Sequence, residues 1–187
     1  MTVHYGPAMT EVSIRPYDPG DHDGVRRTVS AAFHPGNEAD LVELIRDSDQ
    51  YVAEMELVAV VGDGVVGHVM ISGAAIVDET GVASPVAMLS PLAVDPTRQR
   101  QGIGGALVEA VCAIAERRGE PMIVLEGSPT YYSRFGFEPS ASVGITLPLP
   151  DWAPPEAAQV LRLGAYDPSD PRLRGTVRYP PAFEGFE

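Results

Sequence analysis

Between residues 97 and 120 the chain reads TRQRQGIGGALVEAVCAIAERRGE, a helical pattern whose first turn is crowded with glycine. Apolar residues recur at Ile103, Ala106, Leu107, Ala110, Val111 and Ile114, the spacing of one helix face. Arg117 and Arg118 fall in the last turn, where cations suit the negative helix end, and Gly119 stands where a left-handed cap belongs. Gly102, Gly104 and Gly105 crowd the start, although each glycine in a helix costs about 1 kcal/mol relative to alanine. A helix start exposes unpaired N–H groups and partial positive charge. Without side chains in the way a phosphate reaches those groups directly, and Arg98 and Arg100 add full charge just ahead. A tight strand-to-helix bend needs one small residue. Three glycines beside arginines favour a phosphate or pyrophosphate cradle over a bend.

The common nucleotide motifs fit poorly. A Walker A loop requires lysine, and this chain contains none: its 13 basic residues are all arginine. A dinucleotide fingerprint wants its third glycine where Leu107 stands, and wants the glycines directly after the strand. Here the stretch Asp95 to Gln101 separates Val94 from Gly102.

The rest of the chain reads as strands in a run with helices interposed. VSIR (12–15) is a short strand, Asp21 is expected to cap a helix through about Phe33, and NEADLVELIRDSD from Asn37 is a second helix. Two β-branched runs flank Gly62-Asp63-Gly64, a hairpin turn. VASPVAMLSPLAV is a further strand in which Pro85 and Pro91 mark bulges or edges, since proline cannot donate to a ladder. After the glycine-led helix come the strand MIVLEG and the turn SPTYYSRFGF ended by Gly136. SVGITLPLP and AAQVLRLGAY then form a closing pair of strands, and GTVRYPPAFEGFE is an extended arm. This order predicts a mixed α/β chain. One domain is expected over residues 1–187, with its core at about 12–165 and a C-terminal arm at about 166–187.

At LAVDPTRQRQGIGGAL the sequence resembles the GNAT superfamily of N-acyltransferases, whose acyl-CoA motif reads Arg/Gln-x-x-Gly-x-Gly/Ala between a strand and a helix. Gln99, Gly102 and Gly104 stand on that pattern. A second family hallmark, Tyr-x-x-x-Gly-Phe, appears as Tyr132 to Gly136-Phe137. The resemblance spans about residues 12 to 140 in element order, and the tail GTVRYPPAF looks most like a bacterial subgroup of N-acetyltransferases.

The resemblance implies a central, mostly antiparallel sheet with a splayed pair of central strands and flanking helices. It implies acetyl-CoA as co-substrate and transfer of an acetyl or short acyl group directly to an amine. The backbone of Leu92, Ala93 and Val94 would pair with the pantetheine arm. Arg100, Gln101, Gly102, Ile103, Gly104 and Gly105 would hold the pyrophosphate, and Ser128 would lie near the pantetheine. Tyr132 would be the general acid for the leaving thiolate. Relatives often carry a glutamate early in the central strand as base, but here Val86 to Ser90 hold no carboxylate or histidine. Glu126 is the best remaining candidate, with His68, a water relay or a pre-deprotonated amine as alternatives. A non-catalytic acyl-CoA sensor on the same fold is the competing reading.

Charge narrows the partners. With 13 basic against 26 acidic residues the net charge is −13, which argues against nucleic acid or an anionic membrane and suits a cationic small-molecule or peptide amine. The first twelve residues lack a signal-peptide pattern, and no apolar run approaches the roughly 18 residues that span a bilayer, so a cytoplasmic location is expected. No metal is expected. Cys112, the only cysteine, falls within the helical pattern as a small apolar residue. The tail could reach a second subunit, giving a homodimer.

Overall fold

The computed structural model describes residues 11–186 together with the backbone of Thr2–Val3, so most of the segment on which the signal-peptide expectation rests lies outside the described residues. In chain order the elements are β1 (Thr2–Val3), β2 (Val12–Pro16), α1 (His22–Ala32), α2 (Glu38–Arg46), β3 (Glu56–Val61), β4 (Gly64–Val77) and β5 (Ala83–Val94). There follow α3 (Ile103–Arg118), β6 (Met122–Glu126), α4 (Pro129–Tyr132), β7 (Glu138–Pro139), β8 (Ile145–Thr146), β9 (Ala158–Arg162) and β10 (Gly175–Arg178). The chain forms two compact units: residues through Ile71 with Ser90–Ile114, and Ser72–Leu89 with Ala115–Gly185.

In the first unit β1 to β4 form an antiparallel run. Every residue of β3 but the last is buried, and Val69, Met70 and Ile71 of β4 are fully enclosed. The β3–β4 hairpin turns on Gly62-Asp63, because Val61 pairs with Gly64. The left-handed residue is Gly62 (φ 57°), the first central position of a II′-type loop, so Gly64 serves as a strand end instead. Asp21 also departs from expectation. It stands at the N-cap of α1 without a side-chain cap, because its carboxylate binds Arg15 at 2.6 and 2.8 Å and accepts from the Asp18 amide at 2.9 Å.

The amide of Asp95 donates to the carbonyl of Val66 at 2.9 Å, beside a register shift in the β3–β4 ladder. This bond ties the end of β5 to β4 and fixes where the chain leaves the sheet. The first turns of α3 then pack on β4. A Cβ added at Gly67 would lie 2.9 Å from a Leu107 methyl, 3.1 Å from Ala59 Cβ and 3.2 Å from an Ile103 methyl, so helix and strand meet where no side chain intervenes. The buried stripe of α3 is Ile103, Ala106, Leu107, Val108, Val111 and Ala115. It is rotated slightly from the expected one, with Ala110 and Ile114 only half-buried.

In the second unit β4 pairs antiparallel with β10, and β10 lies parallel to β8. β5 pairs parallel with β6, whose other edge carries β9 antiparallel, followed by β7. Ala74, Ile76, Val86, Met88, Met122, Val124, Ile145 and Val160 share one apolar core. The expected closing pair is corrected: β8 pairs with β10 and β9 with β6, because β9 continues the edge of β6 while the tail supplies the partner for β8. The mixed α/β class and the mostly antiparallel sheet stand as expected, and the registered β5–β6 ladder is limited to Ala87↔Ile123 and Met88↔Val124.

Candidate acyltransferase site

In the first unit, β5 ends in Leu92, Ala93 and Val94, of which Ala93 is buried and its neighbours half-buried. Asp95 then caps a short 3-10 turn. Its carboxylate accepts from the Thr97 amide at 2.8 Å and the Thr97 hydroxyl at 2.6 Å, and these bonds hold it below the usual carboxylate range. Gln99 Nε2 donates to Val94 O at 3.2 Å and Gln101 Nε2 to Thr97 O at 3.4 Å, so both glutamines brace the loop. Arg100 takes a left-handed conformation (φ 60°), as does Gly102 (φ 84°). Left-handed residues within a turn are the conformations from which anion-binding nests are built. The 16-residue α3 begins at once with Ile103-Gly104-Gly105. Its first N–H groups lie beyond the reach of intrahelical carbonyls, and the two glycines themselves carry no side chain. A left-handed turn, a glycine-led helix start and arginines at 98 and 100 are a donor set suited to a diphosphate.

In the second unit the functional candidates gather around the end of β6. Ser128 caps α4, its Oγ accepting from the Tyr131 amide at 3.4 Å and its carbonyl accepting from the Tyr132 amide at 3.0 Å. Tyr132 is buried, edge-on to Tyr131 at 4.9 Å and to Phe137 at 5.5 Å. Gly136 ends this stretch in a left-handed conformation (φ 88°), as the Tyr-x-x-x-Gly-Phe spacing predicts. Gly127 is the reason the Tyr132 ring fits, since a Cβ there would lie 2.5 Å from its Cε2. The Gly127 carbonyl accepts from buried Gln159 Nε2 at 2.9 Å, and its amide donates to Ala157 O at 2.9 Å. Glu126, half-buried, receives a hydrogen bond from the Tyr179 hydroxyl at 3.4 Å, and burial pushes its carboxyl above the usual range. Tyr179, Gly127 and Gln159 did not stand out in the sequence. The glycine has only its place between a strand and a capped turn to mark it, and the tyrosine only its position in the tail YPPAF.

His68 is removed from the acid–base candidates. It is fully buried in β4, with Nε2 at 2.8 Å from a Glu56 carboxylate oxygen. Glu56 also accepts from Arg46 Nε at 3.1 Å and from the Tyr51 hydroxyl at 2.7 Å. Burial pushes the His68 imidazole down, and Arg46 already compensates the carboxylate, so the ring is neutral and donates from Nε2. Its Nδ1 has no partner among the described residues. This is a structural core network. Cys112 is half-buried in α3, and burial raises its thiol to about 12. Among the described residues no cluster of His, Cys, Asp or Glu could hold a metal ion, and no helix is long and apolar enough to cross a membrane.

A glycine-led helix after a strand, with a capped Tyr-x-x-x-Gly-Phe turn after the next strand, is the arrangement that the resemblance to the GNAT acyltransferases implies. Comparison with known proteins agrees. The family model for the acetyltransferase (GNAT) domain matches residues 13–140. The chain is 33% identical over 175 residues to the uncharacterized N-acetyltransferase YhbS of Escherichia coli, covering 92% of this chain and 99% of that one. It is 32% identical over 142 residues to the uncharacterized N-acetyltransferase YjhQ of the same organism, covering 75% and 74%. Among solved structures, E. coli YhbS in complex with CoA aligns with a TM-score of 0.79 at 30% identity over 99% of this chain and 98% of that one. A GNAT family acetyltransferase from Brucella melitensis in complex with acetyl-CoA aligns at 0.73 with 30% identity, over 93% and 99%. The chain belongs to the GNAT acetyltransferase family.

Proposed function

We propose that this protein transfers an acetyl group from acetyl-CoA directly to an amine acceptor. The observation that carries the reading is the start of α3, where a left-handed turn and two glycines lead the helix within a loop braced by Asp95, Gln99 and Gln101. The relatives bound to CoA and acetyl-CoA support the choice of ligand. In this reading residues 100–105 receive the diphosphate, the backbone of Leu92 to Val94 pairs with the pantetheine arm, and Ser128 borders it. Since the Ser128 hydroxyl already caps α4, its contribution is to position the turn that carries Tyr132.

The amine nitrogen attacks the thioester carbonyl, a C–N bond forms and the C–S bond breaks. Tyr132 delivers its proton to the leaving sulfur, and Glu126 takes the proton that the attacking amine sheds. A carboxyl raised by burial is the better proton acceptor near neutral pH, which favours Glu126 for this role. Orientation of the two substrates supplies most of the remaining acceleration. The acceptor is an amine of low molecular weight or a peptide amine, for which an acidic protein offers favourable electrostatics.

Thiol release from acetyl-CoA, followed with a disulfide dye across a panel of primary amines, tests the reading. We expect release dependent on amine, and a fall of about 100-fold in turnover for Tyr132→Phe with acetyl-CoA affinity retained. Full activity in that variant would reassign the acid. CoA binding without release for any amine would favour a sensor.

A further inference from the structure

Glu126 is the end of an apolar row. It follows Met122 and Val124 along β6, and β9 sets Ala158 across from it; these three belong to the core of the second unit. A carboxylate in such a place has little to orient it, and an unoriented base loses much of its effect. The one side-chain hydrogen bond it receives among the described residues comes from Tyr179, 53 residues further along the chain. Tyr179 is not a loose tail residue. It follows directly on β10, where Arg178 is registered against Ala75 of β4, and its ring meets Phe183 at 5.7 Å. Tyr179 and Phe183 both pack against the same apolar core as Glu126's neighbours. The phenol therefore reaches the carboxylate from a position fixed on both sides.

We propose that Tyr179 is a positioning residue for acetyl transfer, its hydroxyl holding Glu126 Oε2 so that the second carboxylate oxygen is turned toward the acceptor amine. The inference rests on the reading of Glu126 as proton acceptor and extends it to the C-terminal arm. In the step concerned the amine proton moves to the carboxylate, which becomes a neutral carboxyl group and later returns the proton to solvent. A hydrogen bond to the anion also keeps that form available against the pull of burial. On the surrounding elements, β9 presents Ala158, the neighbouring Gln159 turns its amide to Gly127, and Tyr179 brings a titratable group to hydrogen-bonding distance of Glu126.

The test is Tyr179→Phe, which keeps the ring and removes the hydroxyl. With the best primary amine from the panel, kcat/KM at pH 7 is expected to fall about two- to tenfold, the worth of one hydrogen bond. The acid limb of the pH–rate profile is expected to move to higher pH, a change that mere loss of packing would not produce. A carboxyl 13C titration of Glu126, its resonance assigned by its absence in Glu126→Gln, should move in the same direction. If the variant is too unstable for kinetics, that titration at low temperature decides. A Glu126 resonance and an acid limb both unmoved by Tyr179→Phe, while Glu126→Gln is impaired, overturn the role of Tyr179 alone. Full turnover in Glu126→Gln overturns the base assignment and this inference with it.

Discussion

At the residue scale, two carboxylates sit in contrasting surroundings, Glu56 buried and Glu126 half-buried. Glu56 is compensated by Arg46, His68 and Tyr51 and is held below the usual range, burial being outweighed by these partners. Among the described residues Glu126 receives one side-chain hydrogen bond, from the Tyr179 phenol, and burial raises its carboxyl. The first is a compensated buried anion, and the second is the carboxylate we propose as proton acceptor. The His68 pair also makes a pH prediction. The folded imidazole is depressed below its ordinary value of 6.5, so as pH falls through that value the unfolded chain takes up a proton that the folded chain refuses. The stability that neutral His68 contributes is full above the unfolded value and is lost as pH drops below it. Melting temperature should therefore decline from pH 7 to 5, and His68→Gln, which retains a donor for Glu56, should flatten that decline. An unchanged slope in the variant would contradict a neutral buried ring.

At the element scale, the contact of α3 with β4 at Gly67 sets where the glycine-led helix start lies. Gly67→Val would push into Leu107, Ala59 and Ile103 at 2.9 to 3.2 Å. Overpacking of this kind costs about 1–3 kcal/mol. Urea denaturation should register that loss together with weakened CoA binding, since Ile103 is the first residue of the helix. Full stability with full affinity would show that the close contact does not position the site. Local patterns made this region legible in the sequence: α3 with its Gly119 cap, the β3–β4 hairpin and the Tyr132 to Phe137 turn each depend on residues a few positions apart. The partners of β8 and β9 were not legible, because β8 is chosen by a tail strand about thirty residues later and β9 by β6. The Tyr179–Glu126 bond and the Arg46–Glu56–His68 network escaped for the same reason. Each joins elements through pairing that local periodicity does not encode.

At the scale of the whole molecule, an acidic chain with net charge −13 places arginines at 98 and 100 beside the start of α3. Binding a polyanion against that overall field has to be local, through amides bared by Gly104 and Gly105 and through those two side chains. Titration calorimetry of the protein with CoA measures this most directly. We expect heat consistent with one site and a rise in melting temperature with CoA concentration, both abolished by Gly104→Val while the unliganded variant still melts cooperatively. Undiminished CoA affinity in Gly104→Val, or no heat and no melting shift in the unmodified protein, would contradict the account.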